Sequence, residues 1–346
     1  AVKALLSIVP DHVNCCTNSG ETPLIAAASR GHNETVKLLL SSSANVNHRL
    51  PCGLTALWVA LQNPHEETSV ILINHTDSNL MFVLDNGENV LHEAVKQSLS
   101  IAATLLISRE VNLLQPRKSD GKTPWHLAAE LGQAAILKTM LLSGKIADVN
   151  ITMEELYHAP QKPEAQMKCG TTAMHCAAVK GHVEIVTLLI AAKASLKLMN
   201  KRGSTPLIMA IENGFENIAL ILAEQSGNAT TTDLIQAAKF KMFKVCDVLV
   251  REGVPTCGQD DLDFDYAYYL LISGEYFRYH CLAEGEKIKI KKVYEGASSL
   301  AIAAEHGQVA LANYLMQKGV CYKSLSDRDL IHWFVIADDV GFLRKW

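Results

Sequence analysis

Four short stretches of this sequence carry residue types that perform chemistry in other settings. GKTPWHLAAELG (121–132) sets Gly-Lys-Thr beside a histidine, as a phosphate loop or a catalytic imidazole would. LHEAVK (91–96) opens like a zinc-protease helix, and CGTTAMHC (169–176) brings Cys169, His175 and Cys176 close together. DDLDFD (260–265) alternates carboxylates like the start of a calcium loop. Each fails its own test. A phosphate loop needs a glycine five residues before Gly121, where Pro116 stands. The 91–96 stretch lacks the second histidine, and no further ligand pair follows Cys176 at zinc-site spacing. The carboxylate run has no glycine at its sixth position and Ile272 at its twelfth. With no acid/base, nucleophile or ligand grouping left, neither catalysis, a cofactor nor a metal is expected.

The histidine of the first stretch acquires a meaning from its recurrence. ETPLIAAASRGH (21–32), LTALWVALQNPH (54–65), ENVLHEAVKQSL (88–99), KTPWHLAAELGQ (122–133), TTAMHCAAVKGH (171–182) and STPLIMAIENGF (204–215) are versions of one phrase. Their anchors, Thr22, Thr55, Asn89, Thr123, Thr172 and Thr205, are separated by 33, 34, 34, 49 and 33 residues. Physical chemistry accounts for the residue types. Proline in the first turn of a helix forfeits no hydrogen bond, and the threonine before it caps the free N–H groups. An Ala-Ala pair lets two helices approach closely. Gly31, Gly132, Gly181 and Gly214 fall where such a helix ends. A second phrase, VKLLLSSSANVN (36–47) and IVTLLIAAKASL (185–196), supplies a second apolar helix.

The Thr-Pro-Leu-His-x-Ala-Ala phrase at a period near 33 resembles the ankyrin repeat family. The resemblance implies an all-α repeat solenoid with β-hairpin fingers, a curved stack of about nine units plus partial units at both ends. Residues 1–20 would be a partial unit, 21–231 well-matched units, and 232–346 degenerate units with the last truncated. It also implies that the phrase histidine bonds backbone in its own turn and in the neighbouring one, a role carried onto His92, His126 and His175. Ile25, Trp58 and Ile208 replace it elsewhere, which a catalytic role would not permit. Trp58 and Trp125 are expected to pack near the turns.

Composition narrows the function classes. The chain has 346 residues, 49% apolar and 20% charged, with net charge −4. Scattered basic residues on an acidic balance argue against general nucleic-acid binding. No apolar run approaches the ~18 residues of a membrane span. Nine cysteines follow no paired spacing, which predicts reduced thiols and a cytoplasmic setting. The start at Ala1 is read as the edge of a segment from a larger protein.

Departures from the repeat supply the candidate binding residues. The step of 49 contains an insertion that extends one finger over 151–169, with Tyr157 and His158 as its anchors. DYAYYLLISGEYFRYH (265–280) concentrates Tyr266, Tyr268, Tyr269, Tyr276, Phe277, Arg278 and Tyr279, residue types enriched at binding hot spots. EKIKIKKV (286–293) presents Lys287, Lys289, Lys291 and Lys292, which either pair with the acidic finger one unit earlier or hold an anion. The leading expectation is a non-catalytic scaffold that binds a partner protein or peptide through the concave face and fingers. The alternative is a regulatory domain of a larger channel or ligase that senses an anionic small molecule or oligonucleotide through the lysine finger.

Overall fold

Thr22, Thr55, Thr123 and Asn89 each hold extended backbone and accept a hydrogen bond from the N–H three residues on, at 3.2–3.4 Å. These caps begin helices with Pro23 and Pro124 in the first turn. A computed structural model describes residues 10–153, 170–227 and 229–255. Among them the capped helices are α1 (Pro23–Ser29), α3 (Ala56–Gln62), α5 (Val90–Lys96), α7 (Pro124–Glu130), α9 (Ala173–Lys180), α11 (Pro206–Glu212) and α13 (Thr231–Lys239). Each is followed within a few residues by a second helix. These are α2 (Asn33–Ser41), α4 (Glu66–Asn74), α6 (Ser100–Ser108), α8 (Ala134–Leu142), α10 (Val183–Ala191), α12 (Glu216–Ser226) and α14 (Phe243–Arg251). The described residues therefore form a helical repeat protein of fourteen α-helices, with a 3-10 turn at Pro10–Asn14.

The chain divides into two compact bodies, Ala1–Met209 and Ala210–Trp346. In the first, α1, α3, α5, α7 and α9 pack in one row and α2, α4, α6, α8 and α10 in another. Ala28, Ala60, Ala94, Ala128 and Ala177 are fully buried between the rows, where any larger side chain would push the helices apart. Leu39, Leu72, Leu106, Met140 and Leu189 occupy the equivalent site of each second helix and are equally buried. Each such side chain contributes about 2 kcal/mol by leaving water. In the second body α12 and α13 both pack against α14, so the weakly matched stretch 232–254 does form a helix pair.

The segments between units depart from the expected β-hairpins. The described residues contain one isolated bridge, Val83 with Asn89, and no longer ladder. Tight turns take their place, such as Leu50 N–H to Leu54 O (2.9 Å) and Leu84 N–H to Glu88 O (2.8 Å). Asparagine and aspartate side chains supply the remaining partners. Asn45, Asn79, Asn112 and Asp148 each accept from the N–H two residues on, at 2.8–3.1 Å. Backbone groups satisfied in this local way have no need of a strand partner.

Candidate functional site

The three phrase histidines are sealed inside the first body, each 0% exposed. Nε2 of His92 lies 3.3 Å from Lys122 O, that of His126 3.1 Å from Ile151 O, and that of His175 3.2 Å from Ser204 O. A carbonyl only accepts, so Nε2 carries the proton and Nδ1 is left as an acceptor. Nδ1 receives the N–H of Asn89 (3.1 Å), the hydroxyl of Thr123 (2.8 Å) and the N–H of Thr172 (3.2 Å). Each ring thus ties a helix cap to the turn that leads into the next unit. Burial pulls all three down to about 4, against partial opposition from the carbonyl hydrogen bonds, so they are neutral at pH 7. Beside His175, burial pushes the Cys176 thiol up to about 12, which removes it as a nucleophile near neutrality.

A second set of histidines was not legible as structural. His65 and His182 stand at the start of α4 and α10, and their Nε2 atoms reach back to Ser29 O (3.1 Å) and Glu130 O (2.8 Å) of the preceding unit. Their rings lie against Gly31 and Gly132, where a Cβ would sit 2.7 Å from Nδ1. At the junction between them, Gln133 reaches Ser98 through its side-chain amide. Asparagines make further ties. Asn14 accepts from Asn45 N–H (2.7 Å), Asn47 from Asn79 N–H (2.8 Å) and Asn150 from Ser195 N–H (2.6 Å). These partners lie 31 to 45 residues apart, and only the stacking register brings them together.

The finger side of the first body carries a half-buried ion network. Glu88 meets Lys96 at 2.6 Å and Arg117 at 3.3 Å, and Arg117 meets Asp120 at 2.6 Å. Burial pushes the Glu88 carboxyl up, but Lys96 and Arg117 outweigh it and hold the group below its ordinary value. Asp120 follows the same pattern, with Arg117 and then Lys122 overcoming the burial cost. The lysine of the GKTP stretch, Lys122, bonds Glu130 and Asp120 rather than facing an open loop. Between Glu130 and the helix bearing Cys176, Val179 and Lys180 lies a cleft of about 240 Å³, also bordered by Met153 and Thr171.

Arg49 of one finger stacks its guanidinium 3.6 Å over the ring of Phe82 in the next. Met81 and Val83 flank that ring and are 55% and 36% exposed. The tryptophans pack inward, Trp58 and Trp125 being 1% and 0% exposed, and neither indole N–H has a hydrogen-bond partner. Among the described residues no group of three or more His, Cys, Asp or Glu side chains is placed to hold a metal ion. Tyr157 and His158, the tyrosine-rich run from Tyr266 to Tyr279 with Phe277 and Arg278, and Lys287, Lys289, Lys291 and Lys292 lie outside the described residues. So do the first partial unit up to residue 9 and the DDLDFD run.

Capped helix pairs, tied unit to unit by buried imidazoles, define a helical repeat protein. A family model described as ankyrin repeats (three copies) matches at residues 1–82, 70–153 and 150–233, and the chain belongs to the ankyrin repeat family. It is similar to the nuclear factor NF-kappa-B p105 subunit of Gallus gallus, 29% identical over 206 residues, covering 58% of this chain and 19% of that protein. It is similar to E3 ubiquitin-protein ligase KEG of Arabidopsis thaliana, 24% identical over 291 residues (73% and 18%). A third relative is Rabankyrin-5 of Mus musculus, 31% identical over 160 residues (36% and 14%). The chain spans less than a fifth of the length of these relatives.

Proposed function

We propose that this chain is a non-catalytic recognition scaffold that holds a partner protein or peptide along the concave face and fingers of its ankyrin stack, in the cytoplasm, as one segment of a larger protein. The finger of Met81, Phe82 and Val83 carries this reading. Two of its apolar side chains face solvent while the third is held in place by Arg49. Methionine, phenylalanine and a stacked arginine are residue types enriched in interface cores, and a finger held in advance has little ordering entropy to lose on association. That the family relatives are several times longer supports the segment reading. The proposal includes the nine-unit count, the 151–169 loop with Tyr157 and His158, and the tyrosine-rich run.

The test is crosslinking mass spectrometry on complexes captured from lysate, comparing the wild-type chain with a Met81→Asp/Val83→Asp double variant. Crosslinks that map to 81–83 and disappear in a variant of unchanged thermal midpoint sustain the proposal. Capture that survives the double substitution moves the interface off this finger. Co-purification of an anionic small molecule or oligonucleotide in place of a protein favours a sensor domain acting through Lys287, Lys289, Lys291 and Lys292.

A further inference from the structure

The finger of residues 193–205 concentrates charge of one sign. Lys193, Lys197, Lys201 and Arg202 fall in the stretch between Glu184 and Glu212, which contains no carboxylate. Lys193 stands just past the C-terminus of α10, where the helix dipole favours a cation. The other three lie on the finger itself and are exposed. Lys197, Met199 and Lys201 face solvent while Leu198 and Asn200 between them are half-buried, the alternation of an extended segment with one open face. Met199 is 60% exposed, and neither of its backbone groups has a hydrogen-bond partner among the described residues. Both ends of the segment are held. Ser195 N–H donates to Asn150 of the preceding unit at 2.6 Å, and the tip closes through Asn200 N–H to Ser204 O (3.0 Å) and Gly203 N–H to Asn200 O (2.9 Å). No finger follows it before α13, because residues 227–230 alone join α12 to α13.

We propose that residues 197–202 dock an acidic peptide in extended conformation, which lies along the segment as an added strand. Its carboxylates pair with Lys197, Lys201 and Arg202, and an apolar side chain between them covers Met199. Its backbone takes up the open N–H and C=O of Met199. Charge selects the partner. On a chain of net charge −4, a local run of cations draws carboxylates to this one finger. Because both ends of the segment are already tied, little ordering opposes binding. This inference rests on the reading of the fingers as a recognition surface, but not on the finger of Met81.

A dye-labelled peptide, Glu-Ser-Glu-Leu-Glu-Ser-Glu, titrated with the whole chain and followed by fluorescence anisotropy, tests this. The acidic peptide should bind, added salt should weaken it, and the Lys-Ser-Lys-Leu-Lys-Ser-Lys counterpart should not bind. A Lys197→Glu/Arg202→Glu chain and a Met199→Asp chain, each of unchanged thermal midpoint, should bind several-fold more weakly. The same acidic peptide methylated at every backbone nitrogen keeps its charge but has no N–H to donate, and should also lose several-fold. Equal binding of the methylated peptide, or of an oligothymidylate of the same charge, reduces the finger to a general anion patch and overturns the proposal. So does binding indifferent to both chain variants. If a variant unfolds, the methylated peptide on the wild-type chain decides. The Met81→Asp/Val83→Asp chain should bind the peptide as the wild type does. Capture of a lysate protein through 81–83 with no peptide binding sinks this inference and leaves the scaffold reading standing. Peptide binding with no such capture sustains this inference and moves the interface off the finger of Met81.

Discussion

The imidazole of His126 fills two needs at once, an acceptor for the Thr123 hydroxyl and a donor for the Ile151 carbonyl. Only the neutral ring can do both, and this sets an acid weakness. The folded value is about 4 against an ordinary 6.5, so between those values the unfolded chain takes up a proton that the folded chain refuses. Stability from this group is complete above pH 6.5 and is lost as the pH falls towards 4, at about 1.4 kcal/mol per unit. His92 and His175 add losses in the same window. The depressed carboxyls of Glu88 and Asp120 contribute stability that goes only at lower pH, as they protonate. The protection factor of α7 amides, exchange at pH 7 and pH 5 each divided into its intrinsic rate, should fall on acidification, and His126→Phe should flatten that dependence. The same variant strands the Ile151 carbonyl and should cost about 1–3 kcal/mol at pH 7. Thr123→Ala removes both the helix cap and the hydroxyl bonded to His126 Nδ1, and a loss of about 1–3 kcal/mol in a urea titration is expected.

At the scale of helices and turns, the sites where helices meet are set by residues too small to be noticed singly. Gly132 combines φ +74° with a Cβ position 2.7 Å from His182, whereas Gly144 has φ +66° and nothing within 4 Å. Alanine at either position carries the cost of a left-handed residue, about 1–2 kcal/mol, but only Gly132→Ala also collides with a ring. The Gly132→Ala variant should therefore be the less stable of the two by about 1–3 kcal/mol, and paired denaturation curves of the two variants read the collision directly. Much of this level was legible in the sequence. The anchor threonine, the Ala-Ala pair and the glycine nine residues after the anchor place α1, α7 and α9 closely, because caps and breakers act locally. The fingers were not legible as turns, because Asn45, Asn79, Asn112 and Asp148 satisfy backbone that a hairpin would otherwise pair. The contact of His65 with Gly31 was hidden too, since it depends on how one unit settles against the next. The candidate site was legible least. Its expected residues lie outside the described ones, and Arg49, Met81 and Phe82 sit between the repeated phrases, where no pattern marks them.

Across the molecule the described units resemble one another in outline but are not interchangeable where they touch. His182 fits the bare α-carbon of Gly132, whereas Gln133 fits the hydroxyl of Ser98 at the same place in the unit before. A gene assembled from near-copies is prone to misaligned recombination that drops one copy and leaves the reading frame intact. Excision of residues 123–171 would be such an event, and it would bring the ring of His182 down on Ser98. The shortened chain should melt well below the parent, and Ser98→Gly within it should recover part of the loss, as a thermal-melt series would reveal. The differences between junctions act as a proofreading code written in side chains, one that lets the protein reject its own abridged editions.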